Sequence, residues 1–515
     1  MSANVLVDAG PVDDGTVAQL VADRVASRIA AGDSTLWGPA AQEEAAIRLG
    51  WVGLHETSRP LLAEIEALQA ELRAEGLDRI VLCGMGGSSL APEVITRTAG
   101  VELTVLDTTD PGAVRRALSD RLERTVVVVS SKSGSTVETD SQRRAFEAAF
   151  REAGIEPGPR MIAVTDQGSA LANLAADSGY RAVFLADPTV GGRYSALTAF
   201  GLVPSGLAGA DIAALLDDAA GIAPTLESDT PDNPALTLGA ALGTGPADKV
   251  AIEASAAGIV GFADWAEQLI AESTGKDGTG VLPIAVDGPD DAETGEFAPD
   301  VTVARVVGGP LGVQLLLWEY ATAVAGRLLG INPFDQPDVE SAKKAARGLL
   351  DAQPEPEPPT FVDRAIEVRA TTGLLDGVDT VAGAVDALLG RLGERGYLAV
   401  MAFLDREGDD APLAGVRGAL AERTGRPVTF GWGPRYLHST GQYHKGGPPV
   451  GVFLQVTGAV NDDLPIPDRP FTFGKLIAAQ ATGDAQVLAD HGRPVLRLHL
   501  TDRAAGRAQL LDILG

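Results

Sequence analysis

The hydrophobic positions of residues 15–75 recur at close to the helical period. The stretches WGPAAQEEAAIRLGWVGLHE and RPLLAEIEALQAELRAEG place apolar residues three or four positions apart, with charged residues between them. Such a stripe buries one face of a helix and leaves the other in water. The pattern predicts helices here, and we assign residues 1–50 to an N-terminal helical segment.

After residue 75 the pattern changes to short apolar runs that alternate with helical stretches. RIVLCGMGGSS, LTVLDTT, TVVVVSSKSG, MIAVTD and RAVFLAD each end in small or polar residues. Strands and helices that alternate at this spacing indicate βαβ units and a parallel sheet covered on both faces. We predict a doubly wound unit over residues 51–220.

A second alternating region begins at KVAIEAS and resumes late in the chain with YLAVMAFL, PVGVFLQV and PVLRLHL. We predict a second unit over residues 221–515. The proline-rich segment of residues 351–359 cannot lie inside a helix, so we expect an extended connection there. The predicted fold class is α/β, with two doubly wound, mainly parallel sheets after a helical segment.

The composition narrows the range of partners. The 515 residues include 70 acidic and 41 basic side chains, which gives a net charge of -29. The sequence contains no block of basic residues. These values argue against binding to nucleic acid or to an anionic membrane. The acidic loop of residues 287–300 lacks the ligand spacing of a calcium loop, so we predict a solvated turn and no metal site.

Other features favour a cytoplasmic protein. The single cysteine, Cys83, excludes an intramolecular disulfide and is expected to be a buried core residue. The first residues lack the pattern of a secretory signal. The apolar segment of residues 310–331 contains Glu319 and Arg327, which favours a buried helix over a membrane span.

Two loops combine glycine with small hydroxyl residues directly after predicted strands. In SSKSGST, Gly134 permits a tight turn, and the hydroxyl groups can bind a tetrahedral anion together with helix N–H groups. GMGGSS has the same position relative to its strand. The Walker pattern is absent and the dinucleotide pattern GxGxxG is incomplete, so a small phosphorylated metabolite is the favoured ligand. Helix caps and turns without a ligand are the alternative. The hydroxyl donors are Ser131, Ser133, Ser135 and Thr136.

A second group of polar residues lies elsewhere in the chain. Arg193 in VGGRYS suits an oxyanion or a developing enolate, and Glu272 in ESTGK could act as a general base. Gln336 and Lys343 would share one helix face if Pro337 opens a helix. Two histidines, His438 and His444, lie in YLHSTGQYHK, followed by Lys445. Taken singly, a surface carboxylate, an ion-paired arginine or a core histidine explains each of them.

Taken together, the motifs resemble those of the glucose-6-phosphate isomerase family. SSKSGSTVET, VGGRYS, ESTGK and NPFDQPDVE are similar to that family's signatures and occur in the same order. The similarity is greatest to the isomerase portion of bacterial transaldolase/glucose-6-phosphate isomerase fusions. The resemblance implies two sugar-isomerase (SIS) domains, interconversion of glucose 6-phosphate and fructose 6-phosphate through an enediolate, a homodimer, and no metal or redox cofactor.

The resemblance also implies roles for individual residues. Glu272 would move the proton between C2 and C1, Arg193 would stabilise the enediolate, and Lys343 would open the ring together with His438. The substrate-binding residues implied by the resemblance are Gly87, Ser88, Ser131, Lys132, Ser133, Thr136 and Gln336.

The chain departs from the family pattern in the position of the histidine. The histidine segment usually lies between the glutamate and the final lysine, whereas His438 follows Lys343 here. We expect a rearranged second domain that brings the HSTGQ loop to the same place; ring opening by Lys343 alone, or His444 as a substitute, are the alternatives. The rival functions are an isomerase that also accepts mannose 6-phosphate and a non-catalytic phosphosugar sensor.

Overall fold

A computed structural model describes residues 6–245, 247–295, 297–352 and 357–515, which form three β-sheets with helices on their faces. The chain begins with a short strand and a group of helices, as the 3.6-residue period predicts. These elements are β1 (Val7–Asp8), α1 (Asp14–Ala22), α2 (Val25–Ala30), α3 (Gln42–Arg48), α4 (Leu54–Thr57) and α5 (Pro60–Ala74).

The first sheet is parallel throughout, with the strand order β3-β2-β4-β5-β6. Its central strand is buried at every position, because helices cover both faces of the sheet. β-Branched residues, such as the valines of TVVVV, are favoured in a strand of this kind. The elements are β2 (Arg79–Cys83), α6 (Leu90–Ala99), β3 (Thr104–Leu106), α7 (Pro111–Ser119), β4 (Thr125–Ser130), α8 (Val137–Glu152), β5 (Met161–Asp166), α9 (Ala170–Asp177) and β6 (Ala182–Ala186).

Three helices connect the first sheet to the second, which has the strand order β1-β9-β7-β8. Strand β1 is antiparallel to β9, and the other pairs are parallel. The elements are α10 (Ala199–Ala208), α11 (Ile212–Leu226), α12 (Pro234–Thr244), β7 (Lys249–Glu253), α13 (Phe262–Thr274), β8 (Leu282–Ala285), β9 (Val301–Val306), α14 (Leu311–Leu329) and α15 (Val339–Ala352).

The third sheet is mixed, with the order β10-β11-β15-β14-β12-β13. The four strands from β15 to β13 are parallel, and β10 and β11 are antiparallel additions at one edge. The elements are β10 (Phe361–Asp363), β11 (Ile366–Ala370), α16 (Val381–Leu389), β12 (Tyr397–Phe403), α17 (Val416–Thr424), β13 (Val428–Trp432), α18 (Gly441–Gly446), β14 (Gly451–Gly458), α19 (Phe473–Asp490), β15 (Val495–Leu500) and α20 (Arg503–Leu514).

The predicted α/β class with parallel sheets and N-terminal helices is confirmed. Residues 221–515, expected to form one sheet, contain two, which share a buried cluster that includes Ile284 of β8 and Met401 of β12. The N-terminal segment adds the strand β1 to the second sheet. A strand of two residues is too short to give a recognisable hydrophobic pattern, so the sequence did not predict it. The domain boundaries remain a prediction.

Smaller predictions had mixed outcomes. Cys83 is fully buried, and α14 is a buried helix as expected. In the described part of the chain, none of the helices has both the length and the apolar character that a membrane crossing needs. The prediction of a solvated turn at residues 287–300 is wrong in part, because Glu293 and Asp300 are buried and paired with Arg417 and Lys249.

Two further expectations concern the segment after Gln336. Helix α15 begins at Val339, close to the start that Pro337 suggested. Residues 353–356 of the proline-rich connection lie outside the described residues, and residues 351–352, expected to be extended, are instead the last two residues of α15. Among the described residues, there is no group of three or more histidine, cysteine or acidic side chains that could hold a metal ion.

Candidate active site

Residues 131–136, which we call the hydroxyl cup, form a turn between β4 and the N-terminus of α8. Ser131 Oγ lies 3.2 Å from Thr136 Oγ1 and accepts the N–H of Gly134 at 3.2 Å. Ser133 Oγ lies 2.8 Å from Ser135 Oγ. Since α8 starts directly after the cup, its free N–H groups and the positive end of its dipole are in the same place.

Gly134 has a backbone conformation that this turn requires. Its φ is +70°, in the left-handed region that other residues avoid. A Cβ atom at this position would lie 2.5 Å from the backbone nitrogen of Leu171. Glycine is therefore the residue that lets the cup close against α9.

Residues at the end of strand β5 hold the hydroxyl cup in place. The Thr165 hydroxyl donates to Ser131 O at 2.7 Å and lies 2.7 Å from Ser169 Oγ. Lys132 Nζ lies 2.9 Å from Asp166 Oδ2. The lysine charge is thus held at the edge of the cup by a carboxylate on the neighbouring strand.

The glycine loop after β2 lies between two other loops of the site. A Cβ on Gly87 would be 2.0 Å from Gly192 O, and a Cβ on Gly86 would be 2.9 Å from His438 O. Ser88 is half-buried at the end of this loop. The absence of side chains lets the loops that carry Arg193 and His438 approach one another.

Arg193 is buried in the short helix Gly192–Tyr194, and its guanidinium makes several hydrogen bonds. Nη1 lies 3.3 Å from Glu272 Oε2 and donates to Gln336 Oε1 at 2.6 Å. Nη2 donates to the carbonyl oxygens of Pro333 and Asp335, each at 2.8 Å. One planar cation thus joins the predicted base to the loop before α15.

Glu272 lies in the last turn of α13 and is 8% exposed. Burial raises the pKa of its carboxyl, and the charge of Arg193 and the amide of Gln268 offset part of that effect. Gln268 Nε2 lies 3.4 Å from Glu272 Oε1 and 2.9 Å from His438 O. A carboxylate in this environment is a stronger base than one in water.

His438 reaches the same site from the loop after β13. Its Nε2 lies 3.0 Å from Oε1 of Glu138, the second residue of α8. Burial would raise the pKa of Glu138, but the His438 charge and hydrogen bond, assisted by the charge of Lys343, outweigh it and lower the pKa. This is a carboxylate–imidazole pair beside the hydroxyl cup.

His444 lies in the core instead. Its ring centroid is 6.0 Å from that of Tyr397 and 5.3 Å from that of Phe453. Its ring nitrogens have no hydrogen-bond partner among the described residues, and burial lowers its pKa well below the ordinary value. Lys445 Nζ lies 2.6 Å from Asp484 Oδ1, also in the interior.

The loop that holds Gln336 is fixed by residues that the sequence did not single out for this purpose. Lys276 Nζ donates at 2.6 Å to Asn332 O and to both Asp335 O and Oδ1. Gln442 Nε2 donates to Asp338 Oδ2 at 2.6 Å and to the carbonyl oxygen of Gly275 at 2.9 Å. Both ESTGK and HSTGQ therefore contribute to shaping the segment before α15.

The structure brings most of the predicted site residues together. Glu272, Gln268, His438 and Glu138 form a chain of contacts that ends two residues after Thr136 of the cup. Glu138 and Gln268 were missed by the sequence analysis. Gln268 precedes Glu272 by one helical turn, so the helical period could have pointed to it. Glu138 gave no such signal, because an acidic residue in the first turn of a helix is already explained by the helix dipole.

A separate cleft of about 1030 Å³ lies between α15, α19 and the third sheet. Arg369, Arg497 and His499 line it, but none of the predicted site residues does. The candidate site is therefore defined by convergent, mostly buried polar groups and not by this wide opening.

Fold and site together define an α/β protein with parallel sheets and a largely buried polar site formed by loops that follow their strands. A family model described as phosphoglucose isomerase matches residues 67–277. The structure is similar to a crystal structure of a glucose-6-phosphate isomerase from Chlamydia trachomatis, with a TM-score of 0.51 and 18% identity over 66% of this chain and 85% of that one.

Two curated relatives carry the comparison further. The glucose-6-phosphate isomerase of Synechococcus elongatus is 31% identical over 350 residues, 53% of this chain, and the match spans 66% of that relative's length. A probable glucose-6-phosphate isomerase of Natronomonas pharaonis is 30% identical over 373 residues, 60% of this chain and 87% of the relative. The chain belongs to the phosphoglucose isomerase family.

Proposed function

We propose that the protein interconverts glucose 6-phosphate and fructose 6-phosphate, with Glu272 as the base. The observation that carries the proposal is the 3.3 Å contact between Glu272 and Arg193, in a site that also contains the Glu138–His438 pair and the hydroxyl cup. A base beside a fixed cation is what an enediolate reaction needs.

Binding would start at the phosphate group. The dianion would accept hydrogen bonds from Ser131, Ser133 and Thr136 and from the first N–H groups of α8, with the Lys132 charge nearby. Gly87 and Ser88 would line the sugar ring. Because the phosphate is remote from the reacting carbons, its binding energy can position them without changing their chemistry.

Ring opening would be the first chemical step. The C1–O5 bond breaks while O5 gains a proton and O1 loses one, and we assign these transfers to His438 and Lys343. Glu138 would hold the imidazole in position. In support, His438 lies 3.0 Å from Glu138, and Lys343 is close enough for its charge to lower the pKa of Glu138.

Proton transfer between carbons would follow. Glu272 would take the proton from C2, and the electron pair would move toward the carbonyl oxygen to give an enediolate. Arg193 and Gln336 would hold its oxygens while a proton moves from O2 to O1 and Glu272 returns its own proton to C1, which leaves a hydroxyl group at C1 and a carbonyl group at C2. Each step uses only side chains of this chain, which conserves protons overall.

A coupled assay in both directions tests the proposal. The Glu272→Gln variant should lose about 10²- to 10⁴-fold in kcat, because general-base catalysis typically contributes that much. It should still bind inorganic phosphate. Incorporation of solvent deuterium at C1 or C2 by the unaltered protein would support the enediolate, and near-normal turnover by the variant would remove Glu272 from the mechanism.

Substrate choice needs its own measurement. Glucose without phosphate should turn over poorly, because it lacks the group that the cup would bind. Comparable turnover of glucose and its 6-phosphate would contradict the assignment of the cup. An assay with mannose 6-phosphate decides whether the pocket excludes the C2 epimer.

Several wider expectations belong to the same proposal. We propose a cytoplasmic homodimer with SIS domains at residues 51–220 and 221–515, and with a small sugar phosphate, not nucleic acid or membrane, as its partner. We also propose a likeness to the isomerase portion of transaldolase/glucose-6-phosphate isomerase fusions. Light scattering of the purified protein tests the dimer.

A further inference from the structure

A residue of the C-terminal region reaches the acid–base pair of the candidate site. Gln480 lies on α19, outside the 67–277 segment matched by the family model. Its side chain is 4% exposed, and its Nε2 donates to Glu138 Oε1 at 2.7 Å. The same oxygen lies 3.0 Å from His438 Nε2.

The amide of Gln480 is held in one orientation. The Thr109 hydroxyl donates to Gln480 Oε1 at 2.7 Å, and Thr109 is fully buried after β3. A buried amide that accepts at its oxygen must present its NH₂ group on the other side, toward Glu138. Thr109, Gln480 and Glu138 thus form one ordered relay of hydrogen bonds that ends at His438.

The backbone that carries Gln480 is itself well anchored. On the same helix, Phe473 and Leu476 are buried in a cluster with residues of the first sheet, and Ile477 is buried in a cluster with residues of the second and third sheets. A donor on such a helix has few alternative positions. Gln480 can therefore direct the Glu138 carboxylate, because it and His438 contact the same oxygen, Oε1.

We infer that Gln480 is a positioning residue for ring opening: it orients Glu138 so that this carboxylate holds the His438 imidazole, and Thr109 fixes the orientation of Gln480. The inference rests on the proposed function for its catalytic meaning. The hydrogen-bond relay itself does not depend on the identity of the substrate. Gln480 acts through Glu138 and has no assigned contact with substrate.

The test compares four variants by kinetics and by NMR of histidine rings. Gln480→Met keeps the length of the side chain and removes both hydrogen bonds, and Thr109→Val removes only the hydroxyl. Gln486→Met is the matched control, since this glutamine lies on the same helix but its amide contacts Asp490 at the surface. The chain has five histidines, so the His438 signal can be assigned with a His438→Gln variant.

The relay predicts a specific pattern. Gln480→Met should lower kcat for glucose 6-phosphate about tenfold with KM within about twofold, since one hydrogen bond to a charged group is lost away from the substrate. The His438 ring signals should shift in Gln480→Met and, to a smaller degree, in Thr109→Val. Thr109→Ser keeps a hydroxyl group and should leave the His438 signals as they are in the unaltered protein. Gln486→Met should change neither kcat nor the His438 signals.

Two results would overturn the inference. One is an unchanged His438 signal in both Gln480→Met and Thr109→Val. The other is a fall in kcat without any change in that signal, which would mean that Gln480 acts only through stability. If the signal shifts while the unaltered protein does not isomerise glucose 6-phosphate, the positioning role stands and the proposed function fails. If Gln480→Met does not fold, Thr109→Val carries the same comparison.

Discussion

The hydroxyl cup should be sensitive to a single methyl group at Gly134. In Gly134→Ala, an alanine must adopt the φ of +70° that glycine has here. Its Cβ would lie 2.5 Å from the backbone nitrogen and 2.8 Å from the Cβ of Leu171. A left-handed conformation costs a non-glycine residue about 1–2 kcal/mol. Overlap with a packed neighbour typically adds ~1–3 kcal/mol, and here part of the neighbour is backbone.

Relaxation of this strain would move the turn that forms the cup. Gly134 N donates to Ser131 Oγ, so a shifted turn would misplace both the hydroxyl and the backbone N–H. Loss of one hydrogen bond to a charged phosphate weakens binding by about 1.5–3 kcal/mol, or roughly 10- to 100-fold. We expect kcat/KM for glucose 6-phosphate and the affinity for inorganic phosphate to fall by the same factor.

Gly154→Ala is the matched control for this experiment. Gly154 follows α8 with a φ of +72°, and a Cβ there would meet nothing within 4 Å. Both variants therefore carry the left-handed strain, but only Gly134→Ala crowds the cup. Calorimetry should show a lower Tm for both, and phosphate inhibition should weaken only for Gly134→Ala.

The reasoning fails if a folded Gly134→Ala protein binds phosphate within twofold of the unaltered protein. It also fails if Gly154→Ala weakens phosphate binding equally, since that would trace the effect to general destabilisation. An effect on kcat/KM for the sugar without one on inorganic phosphate would move the role of this turn from the phosphate to the sugar ring.

Three other predictions follow from buried charges. Because burial raises the pKa of Glu272 and a base must be ionised, kcat should fall as pH drops through a value above the ordinary carboxyl range; a pH–rate profile flat to pH 4.5 in folded protein would contradict this. Glu319 is fully buried without a hydrogen-bond partner in the described structure, and burial raises its pKa well above the ordinary value. The pKa of Glu319 is thus higher in the folded protein than in the unfolded chain. Its contribution to the free energy of unfolding is therefore fully present below the pKa of the unfolded chain, and it is lost as pH rises toward the pKa of the folded protein. The gain in urea-measured stability from Glu319→Gln should thus grow by up to about 1.4 kcal/mol per pH unit above roughly pH 4.3, and a gain independent of pH would be evidence against it. Lys276→Met removes the bonds to Asn332 and Asp335 that fix the loop contacted by Arg193, so kcat should fall about tenfold with a lower Tm in a thermal melt, and unchanged kcat would show that the loop holds without the lysine.

The first sheet and its loops could be predicted because their signals are local. The run TVVVV is explained only by a strand buried on both faces, and the small residues after it lie where parallel strands end. Arg193 and Glu272 were singled out by residue type and motif, and the structure joins them. In each case a few adjacent residues carry the information.

The rest depends on contacts between distant parts of the chain. No periodicity shows that β8 and β13 belong to separate sheets, or that short segments such as Phe361–Asp363 pair as edge strands. Lys276 is the last residue of the motif ESTGK, but its contact with the loop at Asp335 depends on the fold, which brings these distant residues together. Gln480 gives no signal at all, since a glutamine in an amphipathic helix is ordinary.

The position of His438 shows what constrains this site. The family model ends at residue 277, and the histidine comes from a loop much later in the chain. Its carbonyl oxygen nevertheless lies where a Cβ on Gly86 would be 2.9 Å away, and its ring meets the first turn of α8. A proton-transfer group is limited by where its atoms lie and not by chain order. Under the proposed mechanism, a chain with a rearranged second domain can therefore keep the same chemistry if the histidine loop meets two fixed features, the glycine loop after β2 and the carboxylate of Glu138. Both follow strands of the first sheet, β2 and β4, so that sheet fixes the positions of the features that the HSTGQ loop must meet.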